Sequence, residues 1–284
     1  MKKVLNKIRV TGACLLLVSF GCSDSDEPSV QSGSLENYDA IISSLQQLED
    51  FGFTDTDNTV NGNGAARVAQ DSECYTFEFA EEEDGSTTLV YDFGESCTLE
   101  SSTLSGKLTI NFTMDEELNY SQVTVYEEFS IDALSLNGSE TQTGSFEVSG
   151  EFGESFDFNS QVATSKDLTL VGCDGETYTY SSSRASTTTF DGETVTALEE
   201  VLRQGEISYT TTLESDLYFD FGCLTDETTT YTEGVIRTVS GDEERIIDYG
   251  DGTCDNLVLV TENGETSEQD ISELSSEQTI LCES

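Results

Sequence analysis

The stretch Leu108-Thr109-Ile110-Asn111-Phe112-Thr113-Met114 alternates apolar and polar residues at every step. A period of two places the apolar side chains on one face of a β-strand and the polar ones on the other. From about residue 68 onward, strand-like segments of this kind are separated by turns rich in Gly, Asp, Asn and Ser. The pattern predicts an all-β fold of roughly twelve to fifteen antiparallel strands with one wet face. Further segments with this period are Tyr75/Phe77/Phe79, Leu89/Tyr91/Phe93, Val123/Val125, Leu168/Leu170, Tyr178/Tyr180 and Leu217/Phe219/Phe221.

Two architectures are compatible with so many strands. An antiparallel β-sandwich, single or divided into two small subdomains, is the default for about 220 residues of this kind. An extended β-meander in a single sheet is the alternative. We place this disulfide-bonded β domain at residues 67–284. Within it, Val195 to Arg203 has the composition of a helix, and both a short helix and a strand remain open for it.

One helix is predicted before the β domain. Apolar residues recur along one stripe within residues 35–50, and Ser34 and Gly52 are suitable caps. The polar, Gly- and Asn-rich segment that follows reads as a linker, so residues 35–66 form a helix and linker. The short N-terminal helix is expected to pack on the β domain, with partner binding as the alternative. The stripe consists of Leu35, Tyr38, Ile41, Ile42, Leu45 and Leu48.

The N-terminus has the three parts of a bacterial export signal. Lys2, Lys3 and neighbouring basic residues precede an apolar stretch of about eleven residues, which is too short to span a bilayer. Ser19-Phe20-Gly21-Cys22 resembles the lipobox of bacterial lipoproteins, with Phe20 departing from the usual small residue. The resemblance implies a signal peptide at residues 1–21 and acylation of Cys22. An ordinary secretory signal is the alternative.

Residues 22–34 form an acidic tether, and Ser23-Asp24-Ser25-Asp26-Glu27 is similar to the surface-export tether of Bacteroidota lipoproteins. This similarity implies lipid anchoring in the outer membrane, facing the outside of the cell. An orientation toward the periplasm is the alternative.

Composition excludes several classes of function. The chain has 57 acidic and 11 basic residues, and four of the basic residues lie in the signal. Nucleic acid is therefore a poor partner, whereas divalent cations, a glycan or a cationic protein remain compatible, as does an acidic surface that serves only solubility. The absence of histidine excludes Ser-His-Asp and Cys-His catalysis and His-ligated zinc. A pair of carboxylates could still hydrolyse glycosides, but nothing in the sequence selects two of the acids.

Six cysteines remain after Cys14 and Cys22 are set aside, and an exported chain is expected to pair them. Cys74 and Cys97 lie on opposite arms of a hairpin centred near residue 84. We therefore predict Cys74–Cys97 and Cys223–Cys254, which leaves Cys173–Cys282.

A short repeat accompanies these cysteines. Asp92-Phe93-Gly94 recurs as Asp220-Phe221-Gly222 and as Asp248-Tyr249-Gly250, each followed by a cysteine. We interpret each copy as a strand end whose aromatic side chain enters the core and whose glycine takes a turn or bulge.

The stretch Asp248-Tyr249-Gly250-Asp251-Gly252-Thr253-Cys254-Asp255-Asn256 also resembles the C-terminal motif of a group of uncharacterised Bacteroidota lipoproteins. That resemblance implies localisation and an all-β fold, and it implies no activity.

Candidate ligands for a metal are Asp248, Asp251 and Asp255, which could converge on Ca²⁺ because this ion prefers oxygen ligands. The alternative is a turn that uses Asp and Gly for backbone reasons. No other cofactor and no catalytic residue is predicted. We expect a non-enzymatic surface lipoprotein with a structural, adhesive or ligand-binding role. The alternatives are a glycan-binding accessory of an uptake system, a glycoside hydrolase with two carboxylates and a carrier of hydrophobic cargo.

Overall fold

The computed structural model describes residues 35, 38–39, 41–42, 45, 74–82, 85–99, 102–132, 134–151, 155–172, 175–226 and 231–271. The signal, the tether and the linker predicted above lie outside these residues, as do Cys173 and Cys282.

Thirteen antiparallel strands form one open sheet in which every strand pairs with its neighbours in the chain. The all-β prediction is confirmed, and of the two architectures left open the structure has the extended meander. A 3₁₀ helix, η1, spans Phe221–Asp226. The strands are β1 Thr76–Glu81, β2 Thr87–Leu99, β3 Ser102–Met114, β4 Asn119–Ile131, β5 Leu134–Glu151, β6 Ser155–Val171, β7 Thr177–Thr189, β8 Gly192–Gln204, β9 Ile207–Asp220, β10 Glu233–Ser240, β11 Glu243–Asp251, β12 Leu257–Glu262 and β13 Glu265–Asp270.

The segment from Val195 to Arg203, for which both a helix and a strand were open, lies in strand β8. Val195 and Leu202 are both fully buried although they are seven residues apart, a spacing that would place them on opposite faces of a regular strand. The pairing of β8 with both neighbours shifts register between Val195 and Glu199. This irregularity returns the two side chains to the same face. Two buried residues seven positions apart, a spacing typical of a helix, therefore occur here in a bulged strand.

Glycines allow neighbouring backbones to approach closely at two of these irregularities. Gly106 on β3 and Gly234 on β10 have φ of 77° and 112°. A Cβ at Gly106 would collide with the carbonyl oxygen of Glu128, and one at Gly234 with that of Asp216. Both glycines lie at register shifts that follow copies of the Asp-aromatic-Gly repeat, Gly106 within β3 and Gly234 near the start of β10.

Helix α1 packs on one face of the sheet, which we call the inner face. Its described residues are Leu35, Tyr38, Asp39, Ile41, Ile42 and Leu45, all of which are buried. The five apolar ones belong to one hydrophobic cluster with residues of β2 to β9. A second cluster covers the inner face of β8 to β12 and includes Val195, Leu217, Ile236, Ile247 and Val260. The helix is therefore part of the core, as the apolar stripe predicts.

Two disulfides lie at opposite regions of the sheet. Cys74 is bonded to Cys97 and Cys223 to Cys254, which confirms both predicted pairs. No helix in the described part of the chain combines the length and the apolar character that crossing a bilayer would require.

Candidate functional site

A row of polar residues crosses the inner face. Each member pairs directly with the next across adjacent strands, so all of them point to the same side of the sheet. This polar row runs from β5 to β12 and consists of Glu140, Lys166, Ser182, Glu200, Thr211, Thr238, Arg245 and Glu262.

Helix α1 closes the C-terminal half of the row, which we call the anchor half (Thr211, Thr238, Arg245 and Glu262). Arg245 Nη1 donates to both carboxylate oxygens of Asp39, at 2.9 and 2.7 Å. Its Nε donates to Glu262 Oε1 at 2.6 Å. The side chains of Arg245 and Asp39 are 4% and 0% exposed. Burial alone would lower the pKa of Arg245, but Asp39 and Glu262 outweigh it and raise that pKa above its ordinary value.

Tyr38 links the helix to the middle of the row. Its hydroxyl donates to Glu200 Oε2 at 3.1 Å and lies 2.7 Å from Thr211 Oγ1. Because a hydroxyl has one proton to donate, Thr211 then donates to Tyr38, and Thr238 continues the chain at 2.9 Å from Thr211. Buried polar groups are thus satisfied by one another along the anchor half.

The cavity half of the row (Glu140, Lys166, Ser182 and Glu200) carries charges that are only partly buried. Lys166 Nζ lies 3.8 Å from Glu140 Oε2, with side chains 12% and 23% exposed. Beside the row, Arg184 Nη2 donates to Glu193 Oε1 at 2.8 Å. Both ion pairs are more exposed than the pair at Asp39, and the pair of Lys166 is also longer.

Two tyrosine hydroxyls hold Glu200 at the junction of the two halves. Tyr180 donates to Glu200 Oε1 at 2.9 Å, and Tyr38 donates to Oε2. Burial, and then the negative charge of Glu200, raise the pKa of Tyr38 well above its ordinary value. The Tyr38 hydroxyl therefore stays protonated at neutral pH and remains a donor to the carboxylate.

A cavity of about 270 Å³ lies between helix α1 and the cavity half. Residues from six strands, β5 to β10, contribute to its lining together with Ile42 and Leu45 of the helix. The wall of the cavity is therefore formed by the inner face of the sheet and by the helix.

The cavity lining combines polar and apolar groups. The polar part is the cavity half of the row with Gln142, Thr164 and Arg184, and the apolar part comes mainly from β8, β9 and β10. Such a mixture is typical of small-molecule sites, in which a few placed polar groups orient a ligand against an apolar wall. The apolar and aromatic lining residues of the sheet are Tyr180, Val195, Leu198, Leu217, Tyr231 and Ile236.

The predicted calcium ligands lie elsewhere, at the end of β11 and in the turn after it. Asp248 Oδ1 accepts from the backbone of Gly250 at 2.9 Å. Asp255 accepts from the backbone of Leu257 and from Thr253 Oγ1, at 3.1 and 3.0 Å. Asp251 ends β11, and the structure does not bring the three carboxylates together. Calcium binding there stays a prediction, which a thermal melt in millimolar Ca²⁺ against chelator tests.

The same turn hydrogen bond occurs in each copy of the sequence repeat. Asp92 Oδ1 accepts from Gly94 at 2.9 Å, and Asp220 Oδ1 accepts from Gly222 at 2.6 Å, as Asp248 does from Gly250. Phe93 and Tyr249 are buried. The first copy lies within β2, where the pairing with β3 shifts register, whereas the second begins at the last residue of β9 and the third lies near the end of β11. The predicted strand end is therefore wrong for the first copy, which is a bulge. Within the described residues, three potential metal ligands converge only at Asp220, Cys223 and Cys254, and the two sulfurs there are bonded to each other.

A ladder of aromatic rings crosses strands β3 to β6 at one end of the sheet. It extends to Phe190, in the turn between β7 and β8. Neighbouring ring centroids are 5.1 to 6.2 Å apart. Tyr120 and Phe146 are nearly parallel, at 18°, and parallel rings at 5.1 Å overlap in part. Their faces are directed toward each other, and Phe190 is 55% exposed. The members are Phe112, Tyr120, Phe146, Phe158 and Phe190.

None of the cavity residues was predicted as a site residue from the sequence. The available signal was a polar residue in the apolar phase of a strand: Lys166 precedes Leu168 and Leu170 by the same step of two, and Ser182 follows Tyr178 and Tyr180. Lys166 and Ser182 can be recognised as neighbours in one site only when the register of the adjacent strands is known.

Comparisons with protein-family models, with curated proteins and with solved structures find no match to this chain. The function therefore has to be inferred from the cavity, the polar row and the N-terminal sequence.

Proposed function

We propose that this chain is an exported, non-enzymatic lipoprotein of the outer membrane surface that binds a small ligand in the cavity under helix α1. The observation that carries the binding role is the cavity of about 270 Å³, lined by charged groups on one side and apolar groups on the other. A site between a helix and a sheet removes part of a ligand's surface from water, and this burial supplies affinity.

The lipid anchor is supported by the basic segment, the short apolar stretch and Cys22, followed by the acidic tether. We thus expect the protein to bind the membrane through the acyl chains on Cys22. Its protein surface is not expected to bind anionic lipid, because that surface is negatively charged. Labelling with a radioactive fatty acid tests this: the wild type should incorporate label and Cys22→Ala should not. Digestion of intact cells with an added protease should remove the protein if it faces outward, and a protected protein would place it in the periplasm.

Ligand binding is tested by identifying small molecules that remain bound through purification. The full chain carrying Cys22→Ser, exported so that its disulfides form, is purified without detergent, denatured and analysed by mass spectrometry. Ser182→Phe places a ring in the cavity, whereas Ser183→Phe places the same ring on the opposite, exposed face. We expect a bound compound in the unsubstituted protein and in Ser183→Phe, and its loss from Ser182→Phe. The same compounds in all three proteins would contradict a ligand site in this cavity.

Glycan binding is a second candidate, and the aromatic ladder is the observation that favours it. Because Tyr120 and Phe146 face each other, the exposed ring of Phe190 is the best available stacking surface. A glycan array should then show binding that Phe190→Ala removes. An array without binding would leave the ladder as a set of cross-strand packing contacts.

Catalysis is the outcome that would contradict a non-enzymatic role. Glu140 and Glu200 both line the cavity, so they are the two carboxylates that a glycoside hydrolase would use. Hydrolysis of aryl glycosides by the purified protein, lost in Glu200→Gln, would replace the binding role with an enzymatic one.

A further inference from the structure

Three neutral polar side chains on the cavity wall are free to bind a ligand. Gln142, Thr164 and Ser182 lie on the adjacent strands β5, β6 and β7, and all three line the cavity. We call them the neutral trio. Among the residues that the structure describes, no side-chain hydrogen bond involves a member of the trio, and each member is half-buried. An amide or a hydroxyl group can both donate and accept, so the trio can bind hydroxyl groups of a ligand.

The charged side chains around the cavity are already engaged. Lys166 lies beside Glu140, and Arg184 donates to Glu193 at 2.8 Å. Glu200 accepts hydrogen bonds from two tyrosine hydroxyls. A charged ligand would have to displace one of these partners or keep its own charge partly desolvated, and both cost free energy. A neutral ligand can bind the trio without breaking an existing contact, so the lining favours a neutral compound.

The register of the strands brings the members of the trio close together. Gln142 lies directly opposite Thr164 across β5 and β6. Thr164 lies opposite Arg184 on β7, two residues from Ser182, which makes Ser182 its diagonal neighbour. Side chains that are directly opposite have Cβ atoms about 5 Å apart, and diagonal neighbours are still within reach of one another. Two hydroxyl groups on adjacent carbons of one ligand can therefore bind two members of the trio at the same time.

The other end of the cavity is apolar. Val195, Leu217 and Ile236 line it from β8, β9 and β10, and their side chains are 0%, 2% and 2% exposed. Ile42 and Leu45 of the helix line the cavity as well and are also buried. An alkyl group at this end leaves water without having to bury a polar atom, which favours binding. The cavity is therefore polar over β5 to β7 and apolar over β8 to β10.

We infer that the cavity takes a neutral amphipathic alcohol with at least two hydroxyl groups at one end. The hydroxyl groups bind the neutral trio, and the apolar body lies toward Val195, Leu217 and Ile236. This assignment rests on the proposed binding function and names the chemical class of the ligand. It gives the trio a role in specificity, because these side chains distinguish a diol from a simple alcohol of the same chain length.

Four compounds with the same six-carbon chain test the inference: 1,2-hexanediol, 1-hexanol, hexylammonium and hexanoate. Binding of each to the full chain carrying Cys22→Ser is measured by ligand-observed NMR. High and matched ionic strength screens the long-range effect of the net charge of −46. We expect the diol to bind about threefold to tenfold more tightly than hexanol, as one additional hydrogen bond provides. Both ions should bind about tenfold more weakly than hexanol, because each would carry an unpaired charge into the cavity.

Matched variants locate the effect at the neutral trio. Thr164→Val removes the hydroxyl group and keeps the shape of the side chain, and it should weaken the diol about threefold or more. Thr169→Val makes the same change on the same strand but on the opposite, exposed face, and should change binding of the diol less than about twofold. Ser182→Ala, with Ser183→Ala as its exposed control, provides a second readout if Thr164→Val fails to fold.

The outcomes separate the inference from the proposed function. Tighter binding of either ion than of the diol, or a diol affinity that neither Thr164→Val nor Ser182→Ala lowers, would overturn the neutral alcohol and leave a binding site. Binding of none of the four compounds, together with co-purified compounds that Ser182→Phe loses, would also overturn the neutral alcohol alone. Binding of none, with no compound lost from Ser182→Phe, would remove both.

Discussion

The two halves of the polar row contain the same kinds of residue on one face of one sheet, and they differ in what covers them. In the anchor half, Asp39 and Tyr38 of helix α1 complete the hydrogen bonds of Arg245 and Thr211. In the cavity half, Lys166 and its neighbours face a cavity instead. The difference teaches that the helix, rather than the sheet sequence, separates a buried polar network from a row that lines a cavity. The polar residues of β9 to β12 are held by hydrogen bonds in the core, whereas those of β5 to β8 line the cavity.

Breaking the anchor should have the largest effect. Asp39→Ala removes the two hydrogen bonds that the buried guanidinium of Arg245 makes with this carboxylate, and loss of one partner of a buried pair typically costs about 3–5 kcal/mol. Denaturant unfolding of Asp39→Ala measures this cost. The control is Glu244→Ala, which breaks the pair with Arg237, whose side chains are 40% and 42% exposed; it should cost about 0–1 kcal/mol. Equal losses in the two variants would contradict a structural anchor.

A bulge that sets the register beside the anchor half should have an intermediate effect. Gly234→Ala would force a Cβ against the backbone of Asp216, whereas Gly252→Ala, also at positive φ, meets only a distant carboxylate of Glu233. Because both variants share the strain of positive φ, their difference isolates the collision, which we expect to be about 1–3 kcal/mol. Thermal melts of the two variants provide the comparison. A Gly252→Ala variant that is as unstable as Gly234→Ala would show that backbone strain alone determines the cost.

Changes in the cavity half should be nearly neutral for stability. Lys166→Gln removes a partly exposed pair at 3.8 Å, and we expect a loss of about 1 kcal/mol or less. The same denaturant assay used for Asp39→Ala detects the contrast. A loss as large as that of Asp39→Ala would mean that the cavity half is also a structural network.

Alkaline pH should weaken the fold through the tyrosines beneath the helix. Burial is the main cause that raises the pKa of Tyr209 from 10.0 to about 12, and the pKa of Tyr38 is raised as well. Between pH 10 and 12 the unfolded chain loses a proton that the folded chain retains, so stability present below pH 10 falls across this window. Unfolding at a series of pH values should show a shallower fall in Tyr209→Phe than in the wild type. Identical pH profiles would remove Tyr209 as the cause.

The sequence predicted the features that depend on local pattern. Alternation in segments such as Leu108 to Met114 predicts the strands, and the stripe from Leu35 to Leu45 predicts a buried helix. Cys74 and Cys97 could be paired because both belong to one hairpin. Predicting these features requires only the period of a strand or a helix and the geometry of a turn.

The polar row could not be predicted because it depends on register across many strands. Val195 and Leu202 share a face only through an irregularity in β8, and a shift of one residue moves every side chain of a strand to the other face. Asp248, Asp251 and Asp255 were predicted as calcium ligands because they are close in sequence. Glu140 and Glu200 are 60 residues apart in the chain, and they line the same cavity only in the folded sheet.

Mass spectrometry of the small molecules that co-purify with the protein tests the central claim most directly. The account predicts a compound that is present in the unsubstituted protein and in Ser183→Phe and is absent from Ser182→Phe, whose ring enters the cavity. The same compounds in all three proteins would contradict a binding site between the helix and the sheet.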